Sequence, residues 1–181
     1  MSKIYVDEMH SKTGAAKALE IDSAGIITPT KPIGFTAVLT SNQSLSTGTY
    51  TKLNLKASHS RGFDTQNGWS DSDYYYTVPS GAGGYWLFSG HIEMDITASA
   101  VIMVLSKTNE AAGSSSNFLM RGYSGDSTTS GNNNGNTISG IFEIADGDII
   151  KAEGYHAYGS SQNALTLSAY ARTWLSGWRL G

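Results

Sequence analysis

Apolar and polar positions alternate along most of this chain, and the alternation predicts strands. The clearest run is Gly84 to Met94. Trp86, Phe88, Gly90, Ile92 and Met94 fall on one face, and Tyr85, Leu87, Ser89, His91 and Glu93 on the other. Strand patterns also occur near 34–40, 49–56, 73–78, 99–106, 117–121, 137–144, 148–156, 163–171 and 174–180. Ten strands are therefore expected, joined by turns rich in Gly, Ser, Asn and Asp at the spacing of a sandwich or barrel. No segment of twelve or more residues holds a 3.6-residue period between caps, and no repeat of 20–50 residues is present. Residues 1–32 stand apart. They hold two short apolar segments, Ile4-Tyr5-Val6 and Ile26-Ile27-Thr28, with turn chemistry between them, and Pro29 and Pro32 stiffen the exit. The apolar content is too low for a separate core, so the expected role is an arm that docks on a partner.

Two strands carry more apolar surface than one sandwich face requires. The outer face of 84–94 begins with Tyr85 and Leu87, which a freely solvated face would not. Residues 100–105, Ala-Val-Ile-Met-Val-Leu, are apolar on both faces, although an antiparallel sandwich normally leaves one face to water. The expected cover is a neighbouring copy of the chain, with Tyr85, Leu87, Val101, Met103, Leu105 and Trp178 as candidate interface residues. The alternative is cover by the arm or a loop. The longest irregular stretch, Gly122 to Gly140, is either a surface loop or an exposed recognition loop. Gly81, Gly83 and Gly84, just after Pro79, mark a turn that needs positive φ and close backbone approach.

Composition narrows the class. The chain has 181 residues, enough for one domain plus a short appendage, and no cysteine, so disulfides and thiol catalysis are excluded. Charged residues make up only 15%, against about 25% in typical globular chains, and the net charge is -3. Such a surface lacks the basic footprint of a nucleic-acid binder. No apolar run approaches the roughly 20 residues of a membrane helix. The polar start, Met1 to Met9, has no signal-peptide core, and sets the expectation of synthesis in a cytoplasm.

Candidate chemistry is sparse. His91, Glu93 and Asp95 alternate on one strand face, a spacing that could hold a metal or pair carboxylates, but equally the polar end of a strand. Asp71-Ser72-Asp73 and Asp146-Gly147-Asp148 are acidic turns without the twelve-position calcium-loop pattern. No nucleophile elbow or phosphate loop is present, so no catalytic residue and no metal ligand is assigned. Aromatic residues in or beside polar loops are the better lead. Trp69, Tyr123, Tyr155 and Tyr158, with Asp126 and Asn133, are the candidate surface-recognition residues. Trp86, Phe88, Trp174 and Trp178 are expected in the core or an interface.

Residues 33–181 resemble the globular head of the first complement component, the C-one-q family of the tumour-necrosis-factor-like superfamily. The resemblance is carried, in order, by Phe35-Thr36-Ala37; Tyr50 to Leu55; Phe63-Asp64 to Gly68; Tyr76-Thr77-Val78-Pro79 through Gly84-Tyr85-Trp86-Leu87-Phe88; Gly147-Asp148; and Leu175-Ser176-Gly177-Trp178-Arg179-Leu180. It implies an all-β, ten-strand antiparallel jelly-roll sandwich, homotrimeric about a three-fold axis, that binds or builds and does not catalyse. Some members bind calcium at the trimer apex; no residue here maps onto those ligands, so calcium is left unassigned and no cofactor is expected.

The arm, from Ser2-Lys3-Ile4-Tyr5-Val6-Asp7-Glu8, resembles the opening of small virion structural proteins of tailed phages. That resemblance implies a tail-fibre-like adhesion head on a virion surface. Its anchor would be Ile4, Tyr5, Val6, Ile26 and Ile27, docked on other virion proteins, with a host-surface glycan or protein as a further candidate partner. The alternatives are a capsid-decorating trimer and a cellular ligand- or glycan-binding module.

Overall fold

The computed structural model describes residues 8–10, 17–21, 27–29, 32–95, 100–107, 117–125, 134–166 and 171–180. Backbone contacts divide the chain into two compact units, 1–32 and 33–181. In the first, β1 (Glu8–His10), β2 (Lys17–Ile21) and β3 (Ile27–Pro29) form an antiparallel meander with β2 central. Ile4, Tyr5, Val6 and Ile26 lie outside the described residues, and Ile27 opens β3.

The second unit has only antiparallel strand pairings among its described residues. Its first half contains β4 (Gly34–Leu39), β5 (Gln43–Leu45), β6 (Thr51–Lys52), β7 (Leu55–Lys56), β8 (Phe63–Asp64), β9 (Trp69–Ser70) and β10 (Tyr75–Thr77). Then follow β11 (Gly84–Met94), β12 (Val101–Lys107), β13 (Phe118–Tyr123), β14 (Asn134–Ile144), β15 (Ile149–His156), β16 (Gln162–Ala164) and β17 (Trp174–Arg179). An eight-stranded sheet runs β5-β16-β11-β17-β4-β7, with β14 also on β11 and β8 on β4. A six-stranded sheet runs β13-β12-β15-β10-β9, with β6 on β15. The two pack face to face as a jelly-roll sandwich.

The core lies between the sheets. Trp86, Phe88, Ile92 and Met94 of β11 and Phe35, Ala37 and Leu39 of β4 meet Tyr76, Met103, Leu105, Ile150 and Ala152 of the other sheet. Phe35 is the hub: it stacks on Tyr76 at 4.3 Å between ring centres and touches Trp69 and Phe88 at 5.2 and 6.4 Å. Trp86 buries its ring but satisfies its indole N–H on the Ala82 carbonyl at 3.0 Å. The parity of 84–94 is as expected, with the even positions inside.

The turn entering β11 shows why the glycines are there. Gly81 has φ +78° and Gly84 +132°, where a side chain would be strained. The Asp146 carboxylate holds the turn by accepting N–H bonds from Gly81 (2.7 Å) and Gly83 (2.6 Å). Those bonds to the charged form, first Gly81 and then Gly83, hold the Asp146 carboxyl below its ordinary range.

The cover for β12 differs from the expectation. Val101, Met103 and Leu105 point into the sandwich core and are fully buried by their own chain, so they are not interface residues. The outward pair, Ile102 and Val104, is buried as well. Ile102 lies in register between Tyr123 and Tyr155, and Val104 between Arg121 and Glu153. Long flanking side chains of the same sheet therefore border both positions. A neighbouring copy is the expected second cover, with the chain's own arm or a loop as the alternative; in the structure the chain itself buries both positions. On the same face Glu153 is buried and accepts from Ser106 (3.2 Å) and Lys151 (3.3 Å).

Candidate functional site

The outer face of the eight-stranded sheet is the candidate site, and strand register builds it row by row. Outward positions are odd on β11 and β14 and even on β17 and β4. In one row Ile141, Leu87, Trp178 and Gly34 are cross-strand partners. Beside it Tyr85 pairs with Glu143, and Leu180 donates its N–H to the Tyr85 carbonyl at 2.8 Å. Next come Ser139, Ser89, Ser176 and Thr36, where the Thr36 and Ser176 hydroxyls hydrogen-bond at 2.7 Å. A further row holds Thr137, His91, Trp174 and Val38. The face therefore runs from an apolar row, through a hydroxyl belt, to a mixed row in which Thr137 and His91 are polar and Trp174 and buried Val38 are not.

The apolar end is exposed. Tyr85 is 58% accessible, Ile141 59% and Trp178 38%. Trp178 packs against Phe63 at 5.1 Å between ring centres, and its indole lies over Gly34, where no Cβ would fit. Fully burying one such side chain is worth about 1.5–3 kcal/mol, so a cluster of this kind favours a partner surface.

The polar end is paired. Arg172 bonds Glu93 at 3.0 Å, and His91 Nδ1 shares a hydrogen bond with the Thr137 hydroxyl at 2.8 Å. Burial pushes the His91 imidazole pKa down, opposed by the Glu93 charge. His91, Glu93 and Asp95 are thus engaged with strand neighbours or separate. Among the described residues no group of three or more acidic or histidine side chains is placed to hold a metal. The acidic turns act as turns: Asp148 accepts the Ala145 N–H and pairs with Lys107, both at 2.8 Å, and Asp73 accepts the Ser70 hydroxyl at 2.7 Å.

Of the expected interface residues, Tyr85, Leu87 and Trp178 share this face, whereas Val101, Met103 and Leu105 are core. Sequence reasoning missed Ile141 and Phe63. Ile141 had a signal, a lone apolar residue at the outward parity of 137–144. Phe63 had none, because β8 is two residues long.

The expected recognition residues scatter. Tyr123 and Tyr155 flank Ile102 on the outer face of the six-stranded sheet, where Tyr155 packs on Tyr50 at 4.8 Å. Tyr158 is exposed in a loop, and Trp69 lines a separate pocket. Asp126 and Asn133 lie outside the described residues. His156, next to Tyr155 in the chain, is buried, with its Nε2 at 3.0 Å from the Leu45 carbonyl.

The fold is shared with solved domains of the tumour-necrosis-factor and complement type. Murine APRIL aligns at 18% identity and TM-score 0.55, covering 83% of this chain and all of that one. Eiger TNF from S. frugiperda aligns at 14% and 0.57, covering 83% and 94%. The globular domain of zebrafish complement 1qA protein aligns at 11% and 0.54, covering 82% and 98%. No protein-family model matches the sequence, and comparison with curated proteins returns no match. The chain accordingly has the jelly-roll fold of these solved domains.

Proposed function

We propose that the chain is a non-enzymatic binding head that assembles as a homotrimer through the outer face of the eight-stranded sheet. The observation that carries the reading is the row of exposed Ile141 and Trp178 with half-buried Leu87 between them, continued by exposed Tyr85 and half-buried Phe63. A second copy is the natural cover, because the same graded face on each neighbour offers apolar, hydroxyl and charged surfaces to match. The shared fold with the murine, S. frugiperda and zebrafish domains supports the same reading. Native mass spectrometry of the purified chain is the test. The expected species is a trimer, and Ile141→Glu with Leu87→Glu is expected to convert it to a folded monomer. Wild-type protein that remains a single folded subunit at high concentration defeats the proposal.

The setting we infer is the surface of a tailed-phage virion, with the meander of β1 to β3 as the anchoring arm and the head as a tail-fibre-like tip. It is supported by the arm's compactness as a separate unit and by the resemblance of its first residues to virion proteins. Electron microscopy with a head-directed antibody tests it. A few trimers per particle are expected for a fibre, hundreds indicate capsid decoration, and none on the particle removes the setting. The second reading, a cellular ligand-binding module, is favoured by the fold of its structural neighbours. It predicts ligand capture by the isolated head without any particle.

A further inference from the structure

A pocket of about 290 Å³ lies in the head, lined by Ala57, Ser58, Asp64, Asn67, Trp69 and Asp71. It sits where the chain crosses between sheets: β8 pairs with β4 in one sheet, and β9 pairs with β10 in the other. Its size is that of roughly ten waters at ~30 Å³ each, near the lower limit of about 300 Å³ for small-molecule sites.

The lining is held in place by backbone. Trp69 packs on Phe35, and its indole N–H donates to the Leu55 carbonyl at 3.2 Å. The Asp64 carboxylate accepts the Gln66 N–H at 3.0 Å and the Trp69 N–H at 2.7 Å, and Asp71 accepts the Ala57 N–H at 2.8 Å. Asn67 has φ +56°, a conformation asparagine tolerates. Each carboxylate keeps acceptor capacity beyond these bonds, since an ionised carboxylate offers about four lone-pair sites. The pocket thus brings the Trp69 indole together with acceptors from Ser58, Asp64, Asn67 and Asp71, with two carboxylates and no cation in its lining.

A complementary ligand brings several hydroxyl donors, presents a flat C–H face to the indole, carries no negative charge and has the bulk of one sugar ring. A divalent cation fits less well. Calcium takes six to eight oxygen ligands, roughly, in an open oxygen cage, and an indole supplies none. We propose that this pocket binds one non-acidic pyranose unit of a glycan. The proposal names a ligand class for the binding role above and rests on that reading.

Saturation-transfer NMR and titration of the indole N–H signals test it on the full chain. The probes are the methyl glycosides of glucose, galactose, mannose and N-acetylglucosamine, with methyl glucuronide and calcium chloride in parallel. At least one neutral glycoside is expected to bind in the millimolar range and shift the Trp69 indole signal, with glucuronide at least tenfold weaker. Ser58→Trp, at the exposed rim, is expected to abolish binding. Asn67→Gly, which keeps the backbone conformation, is expected to weaken it tenfold. Melting temperature and subunit number, measured on the same samples, are expected to stay unchanged in both variants, which separates failure of this site from failure of the trimer. Absence of glycoside binding, equal binding of glucuronide, indifference to Ser58→Trp, or a response to calcium alone each overturns the proposal.

Discussion

Tyr76 sits at the centre of the core with its ring on Phe35 and its hydroxyl buried, without a hydrogen-bond partner among the described residues. Desolvation, and secondarily the Asp64 charge, raise its pKa above the ordinary value of 10.0. The folded state therefore keeps the phenol neutral while the unfolded chain ionises, and stability present below pH 10.0 is lost as pH rises beyond it. Tyr76→Phe is expected to be neutral or stabilising by about 1 kcal/mol and to lessen that alkaline loss, read by urea denaturation at two pH values. Asp146 has the opposite sign. Its depressed carboxyl stabilises the turn above the ordinary value of 3.8, and the contribution fades as pH falls below it, so acid melting should be less steep in Asp146→Asn. Gly34→Ala sets a methyl against the Trp178 indole and is expected to cost about 1–3 kcal/mol while shifting Trp178 fluorescence.

At the scale of elements, β11 organises both the inside and the outside of the head. Its even positions fill the core, and Trp86→Ala is expected to cost about 3–5 kcal/mol in chemical denaturation without altering the outer face. Its odd positions present the graded surface. The run 84–94 was legible to the residue because eleven alternating positions leave no second register. Strands 43–45, 63–64 and 69–70 went unseen, since two or three residues carry no period. The strand expected over 163–171 is ladder-paired only at Gln162–Ala164 among the described residues. Asn134–Ile144 begins inside the stretch expected to be loop, because Asn and Gly disguise strand positions that are paired along β11 through Asn134. The buried Lys151–Glu153 pair was likewise invisible, and removing one partner, as in Glu153→Ala, is expected to cost about 3–5 kcal/mol.

For the whole molecule the question is what covers the apolar end of the large sheet. Strand 100–105 does not answer it, because both of its faces are already buried within the chain. Tyr85, Ile141 and Trp178 remain open, and the trimer proposal concentrates there. The sequence by itself determined the strand pattern and the core parity of β11, since periodicity and turn chemistry are local and survive in one dimension, while the jelly-roll class rested on the resemblance of its motifs rather than on periodicity. Only the tertiary structure decided that Val101, Met103 and Leu105 are core, that Phe63 and Ile141 join Trp178, and that Asp64 and Asp71 meet around Trp69. Those outcomes depend on which strands become neighbours and on what lies above each face, and pairing across a hundred residues leaves no mark in the alternation of any single strand.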